Sequence, residues 1–96
     1  MARIETVGVV GGGTMGNGIV HVFAQHGHPV VLVDVDQARV GAALDTIRRN
    51  LERQAKKGAI QETDVEATLG RITTATDPEA VGGADLVVEA VPEKLE

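Results

Sequence analysis

An α/β fold, a parallel sheet with helices on both faces, is predicted by three observations. Short apolar runs alternate with longer segments of helical periodicity. The first run breaks on Gly11-Gly12-Gly13, and the second ends on an acid, Asp34. Strands separated by helices become parallel neighbours, joined by right-handed crossovers.

The elements follow in order. Ile4 to Val10 is rich in β-branched residues and apolar from Val7 on, interrupted by Gly8, as fits a strand buried on both faces. Thr14 to Gln25 reads as a helix. Met15, Ile19, Val20, Phe23 and Ala24 share one face, and Asn17, His21 and Gln25 share another. Gly27 ends it as a left-handed glycine. Pro29 to Val33 is the second strand. A long helix spans roughly Gln37 to Lys57, with Val40, Leu44, Ile47 and Leu51 inward, Asp36 as N-cap and Gly58 as stop. Asp45–Arg49 and Glu52–Lys56 have the spacing of weak ion pairs along it. A short helix over Glu62 to Leu69 completes a helical hairpin between the second and third strands. Arg71 to Thr76 is the third strand, Asp77-Pro78 starts a single helical turn, and Leu86 to Val91 is the fourth strand.

Ninety-six residues form one small domain with a core of modest size. A net charge of −5 argues against a nucleic-acid partner, which requires clustered positive charge. No apolar run reaches membrane-spanning length, and the start lacks the plan of a secretory signal, so a cytoplasmic protein is expected. Without cysteine there are no disulfides or thiolate metal sites. No histidine or carboxylate cluster has metal-ligand spacing, and none is expected to bind a metal.

The chemistry lies in Gly11-Gly12-Gly13-Thr14-Met15-Gly16, where Gly11, Gly13 and Gly16 form G-x-G-x-x-G. Gly11 allows the tight turn out of the strand, Gly13 lets backbone approach a pyrophosphate, and Gly16 permits close packing of the helix on the sheet. Phosphate oxygens would then meet the unpaired N–H groups and positive dipole end of the helix. Three spaced glycines are weak evidence alone, since any glycine-rich turn supplies them. Here a buried strand precedes them, an amphipathic helix follows, and an acid closes the next strand. Asp34 lies 18 residues past Gly16 and 23 past Gly11, bracketing the spacing of about 20 for the residue that holds the ribose. The expected architecture is a Rossmann unit, and the expected ligand is NAD. A carboxylate accepts from both adenosine ribose hydroxyls and repels a 2′-phosphate, and Val35-Asp36 rather than an arginine comes next, so NAD is preferred over NADP. The plainer reading of Asp34 is a strand-end cap; Asp36 is better placed to cap the long helix.

His21, His26 and His28 lack any neighbouring acid or nucleophile in a catalytic pattern and are read as exposed or turn-packing residues. Arg48, Arg49, Arg53, Lys56 and Lys57 make the end of the long helix basic. That is either a solvated face favoured by the helix dipole or a landing site for a phosphorylated carrier. Glu93, just past the fourth strand, is a better site residue than Glu89, which would need a partner if buried.

These residues resemble the 3-hydroxyacyl-CoA dehydrogenases. The matching stretches are Val7 to Gly16, Val22-Phe23-Ala24-Gln25, Val30 to Asp34, Arg71-Ile72 with Thr76-Asp77, and Ala84 to Glu93, the last being the most discriminating. The resemblance implies oxidation of the 3-hydroxyl of an acyl-CoA to a 3-keto group, with NAD taking the hydride. It places Gly11, Gly13, Thr14, Met15 and Gly16 at the pyrophosphate, Asp34 at the adenosine ribose, and Ala90, Val91 and Glu93 along the nicotinamide end. It further implies that the helical hairpin lies near CoA, making Lys57 and Asn50 substrate contacts; relatives can carry Ser where Asn50 stands. The family's catalytic His, the Glu that orients it, and the Ser and Asn that polarise the substrate oxygen lie beyond the fourth strand. So does the helical domain that forms its homodimer. The 96 residues are therefore expected to be an NAD-binding N-terminal fragment that holds no catalytic residue and binds NAD without turnover. A 3-hydroxyisobutyrate or 6-phosphogluconate type of dehydrogenase is the alternative enzyme, sharing the glycine turn but disfavoured by the long insertion between Asp34 and Ile72. A stand-alone NAD-sensing module is the alternative outside enzymes.

Overall fold

A computed structural model of the chain describes residues 5–11 and 14–90. Four strands, β1 (Val7–Val10), β2 (Val30–Val33), β3 (Ile72–Ala75) and β4 (Leu86–Glu89), form one sheet in the order β3-β2-β1-β4. All three pairings are parallel, with Val10 opposite Val33 and Glu89, and Val33 opposite Ala75. Helix α1 (Thr14–Gln25) links β1 to β2. Helices α2 (Gln37–Lys56) and α3 (Glu62–Gly70) form the hairpin between β2 and β3, and a 3-10 turn (Pro78–Val81) leads towards β4.

Alternation along the strands sorts the two faces. Val7, Val9, Val30 and Leu32 face α1 and the hairpin, where Val20, Ala24, Ala43, Ile47, Leu51 and Val65 complete the core. On the opposite face Gly8 lies beneath the 3-10 turn. A Cβ built there would come 2.7 Å from Val81 Cβ. The buried stripe of α2 is Val40, Ala43, Ile47 and Leu51. Leu44, expected inside, is half-buried at its margin, and Ala43 takes the buried position beside it.

The helix ends follow from local chemistry. Asp36 Oδ1 accepts from Ala38 N at 2.8 Å, capping α2, and Asp77 Oδ1 accepts from Glu79 N at 2.9 Å, starting the 3-10 turn. Helices α1 and α2 close alike: His28 N donates to Phe23 O and Gly27 N to Ala24 O, while Ala59 N donates to Gln54 O and Gly58 N to Ala55 O. Gly27 (φ 96°) and Gly58 (φ 82°) supply the left-handed residue this motif needs. The first strand is held at its start by Asp85, whose Oδ2 accepts from Glu5 N at 2.9 Å and Thr6 N at 3.0 Å. The backbone N–H of Thr6, then that of Glu5, holds this carboxyl below its ordinary pKa, since both donate to its charged form.

Three expectations are corrected. Neither Asp45–Arg49 nor Glu52–Lys56 forms an ion pair among the described residues. Arg48 instead reaches across the hairpin to Glu66 at 3.1 Å, between side chains exposed enough for the gain to be small. Met15 does not join the packed face of α1; it is 70% exposed. The strands are also shorter than their apolar runs: β4 ends at Glu89, and Arg71 caps α3 rather than opening β3. There its guanidinium donates to Ala24 O at 2.8 Å, satisfying a terminal carbonyl of α1.

Candidate dinucleotide site

Parallel pairing brings the carboxyl ends of the strands to one edge in a line. Ala90 N donates to Val10 O (2.8 Å), Gly11 N to Val33 O (2.7 Å) and Asp34 N to Ala75 O (3.2 Å). One row of backbone hydrogen bonds therefore ties Ala90, Gly11 and Asp34 together. Gly11 and Asp34 leave the sheet side by side, where open α/β sheets collect ligands.

Gly11 turns the chain with φ 103°, which a side chain would resist. Helix α1 then opens at Thr14 and returns Gly16 against the turn. A Cβ on Gly16 would overlap the Gly11 carbonyl oxygen and stand 3.6 Å from Ala90 Cβ. This cradle leaves no room for side chains and sets the positive end of a twelve-residue helix beside the strand exits, which suits a pyrophosphate. Asp34 is largely buried, at 8% exposure, at the end of β2. Gly11 and Asp34 follow adjacent, paired strands, so the acid stands beside the cradle and the residues present fit a dinucleotide.

Of the sequence-predicted site residues, Gly11, Gly16, Asp34 and Ala90 are brought together. Thr14 and Met15 form the first turn of α1 beside them. Gly13, Val91 and Glu93 lie outside the described residues. Glu89 is exposed and so needs no buried partner.

Asn50 and Lys57 lie elsewhere. Asn50 is half-buried on α2 and lines a groove of about 480 Å³ between α1 and α2, with Asn17, His21 and Gln54. His21 Nε2 meets Gln25 Oε1 at 2.9 Å, and Gln25 Nε2 donates to Gln54 Oε1 at 2.8 Å, so the polar face of α1 is bonded across to α2. The Asn17 side-chain oxygen, Oδ1, is buried with no hydrogen-bond partner. Lys57 is the exposed C-cap of α2, beyond this groove. Gln54 was not distinguished by sequence reasoning; only its spacing of four from Asn50 hinted at a shared face. His26 and His28 are turn residues: His26 Nδ1 meets Val22 O at 2.7 Å, and the His28 ring packs edge-on against Phe23. Among the described residues no helix is long and apolar enough to cross a membrane, and no cluster of three or more His, Cys, Asp or Glu could hold a metal.

Parallel order, glycine cradle and strand-end acid define a dinucleotide-binding Rossmann unit. The sequence profile described as "3-hydroxyacyl-CoA dehydrogenase, NAD binding domain" matches residues 6–96, and the chain belongs to that family. It is 42% identical over 96 residues to a 3-hydroxyadipyl-CoA dehydrogenase of Escherichia coli, spanning all of this chain and 20% of that one. It is 43% identical over 95 residues to a 3-hydroxybutyryl-CoA dehydrogenase of Bradyrhizobium diazoefficiens, covering 99% of this chain and 32% of the relative. The crystal structure of an (S)-3-hydroxybutyryl-CoA dehydrogenase from Ralstonia eutropha superimposes with a TM-score of 0.93 at 40% identity, over 97% of this chain and 33% of that one. The chain thus spans a fifth to a third of these relatives, and its cofactor is NAD.

Proposed function

We propose that these residues are the NAD-holding N-terminal domain of an enzyme that oxidises the 3-hydroxyl of a 3-hydroxyacyl-CoA to a 3-keto group, within acyl-CoA metabolism in the cytoplasm. The observation that carries the reading is the hydrogen-bonded row joining Ala90, Gly11 and Asp34, which puts cradle and acid on one edge. NAD, when bound, supplies the hydride acceptor. The chain's own part is to bind and orient it. Gly11, Gly13, Thr14, Met15 and Gly16 would receive the pyrophosphate at the start of α1, and Asp34 the adenosine ribose. Ala90, Val91 and Glu93 would flank the nicotinamide end.

Asn50 and Lys57 are the proposed CoA contacts. They lie seven residues apart, two turns, so both fall on one side of α2. Lys57 ends the basic stretch of that helix and suits a phosphate; Asn50 faces a polar groove suited to amide or hydroxyl groups. No residue of the chain is assigned as general base. The general base and the homodimer contact belong to the C-terminal part of the family's proteins. Calorimetric titration of the 96-residue chain with NAD and NADP tests the reading: NAD binds, NADP binds more weakly, and added 3-hydroxybutyryl-CoA yields no NADH. Absence of NAD binding, or a dehydrogenase rate from the purified chain, would refute it.

A further inference from the structure

We propose that Met15 is a modification site: a hydroperoxide oxidises its thioether to the sulfoxide, which lowers affinity for the dinucleotide, and bound dinucleotide shields the sulfur. The inference rests on the NAD reading above. The chain has no cysteine and two methionines, so its sulfur chemistry is confined to Met1 and Met15. Met15 is 70% exposed, whereas its neighbour Gly16 is buried against the Gly11 carbonyl. Exposure is what admits an oxidant to sulfur.

Its place makes the oxidation consequential. Met15 lies in the first turn of α1, where backbone N–H groups have no partner within the helix and carry the positive end of its dipole. Side chains on a helix lean towards its N-terminus, so this one leans over the mouth proposed for the pyrophosphate. A thioether is a weak acceptor and does not compete for those donors. Oxidation changes that. The sulfur lone pair forms an S–O bond as the peroxide O–O bond breaks. Sulfur is oxidised by two electrons, the peroxide is reduced, and its other oxygen leaves as water or an alcohol. The sulfoxide is polar, and its oxygen accepts from the same N–H groups that would receive phosphate oxygens. Met15 is no part of the apolar core, so the change reaches binding without loosening the fold.

The test treats the full 96-residue chain with hydrogen peroxide, with and without saturating NAD, and removes both before titration with NAD. Trypsin separates the two sulfurs: cleavage after Arg3 and Arg39 leaves Met15 in the peptide Ile4–Arg39 and Met1 outside it. That peptide should gain the mass of one oxygen atom, and more slowly when NAD is bound. The oxidised chain should bind NAD about tenfold more weakly, the loss of one hydrogen bond to a charged group, at unchanged Tm. Met15→Leu, whatever its own affinity, should not respond to peroxide. Met15→Gln, with an amide oxygen at similar reach, should bind more weakly than Met15→Leu with no oxidant present. Equal affinity before and after complete oxidation, a response retained by Met15→Leu, equal affinity of the Gln and Leu variants, or oxidation undiminished by NAD overturns the assignment while leaving the NAD reading intact. A fall in Tm alongside affinity would show damage to the fold and also overturn it. Failure of the untreated chain to bind NAD sinks both.

Discussion

Gly16 presses its Cα against the carbonyl oxygen of Gly11 so closely that a single methyl group on Gly16 would overlap that oxygen. The contact fixes how α1 returns over the exit of β1, so that the mouth of the site and the packing of the first helix are one arrangement. The backbone oxygen cannot retreat cheaply, because Gly11 N is itself bonded to Val33 O at 2.7 Å. Gly16→Ala is therefore expected to harm stability and binding together. Overpacking of this kind costs about 1–3 kcal/mol, which in a domain this small lowers Tm by at least about 4 °C. NAD affinity should drop about tenfold or more as α1 is pushed off the turn. Thermal unfolding and calorimetric titration check both, and an Ala variant with wild-type Tm and affinity would remove the contact from the account.

Asp34 is the acid proposed to hold the adenosine ribose. It follows β2 and is largely buried, so replacing it should cost stability as well as binding. A hydrogen bond to a charged group is worth about 1.5–3 kcal/mol. Asp34→Ala should raise the NAD dissociation constant roughly ten- to a hundredfold on that basis. Discrimination against NADP should narrow as well, because the charge that repels a 2′-phosphate is gone. An unchanged dissociation constant for NAD would take Asp34 out of the site.

Most of the frame could be read from the chain because its signals are local. The apolar runs gave the four strands, and Gly27, Gly58, Asp36 and Asp77 marked helix ends through contacts within a few residues. Where sequence reasoning fell short, the deciding contact was distant or depended on register. Gln25 is bonded to Gln54, 29 positions away, and Arg48 chooses Glu66 on α3 over the acids of its own helix. Neither preference exists until α1, α2 and α3 are packed. Strand length is likewise a property of the pairing, so β4 stops with its partner β1 although the apolar residues run on. The cradle and Asp34 were legible because motif and spacing encode them.

Asp85 makes the stability of the sheet depend on acidity. Its carboxylate clamps the start of β1 through two backbone N–H donors, those of Thr6 and Glu5, which lower its pKa in the folded chain. A carboxyl whose native pKa lies below its unfolded value adds stability that is fully present above the unfolded pKa, near 3.8. The contribution is lost as pH falls through the lower native value. Denaturant midpoints should therefore be insensitive to this group from neutral pH down to about 5 and decline below about 4. Asp85→Asn, which cannot ionise, should start lower at neutral pH and lose less on acidification. Parallel pH profiles for the two proteins would refute the clamp.

Gly8 offers the sharpest test of how the second face of the sheet is closed. A Cβ built on it stands 2.7 Å from both Val81 Cβ and Val81 Cγ1 and 3.3 Å from Ala84 Cβ, so the 3-10 turn rests directly on the backbone of β1. Gly8→Ala should destabilise by about 1–3 kcal/mol through overpacking. Val81→Ala alone should cost less than a core truncation, since Val81 is only half-buried. Gly8→Ala with Val81→Ala should recover only the part of the loss that comes from Val81 Cγ1, since Val81 Cβ remains 2.7 Å from the new methyl, whereas unconnected sites would simply add. A coupling energy within about 0.3 kcal/mol of zero, measured by urea denaturation of the four proteins, would show that the turn does not bear on Gly8. Positive coupling, with NAD affinity equal in all four, would show that this face supports the sheet without taking part in the site on its carboxyl edge.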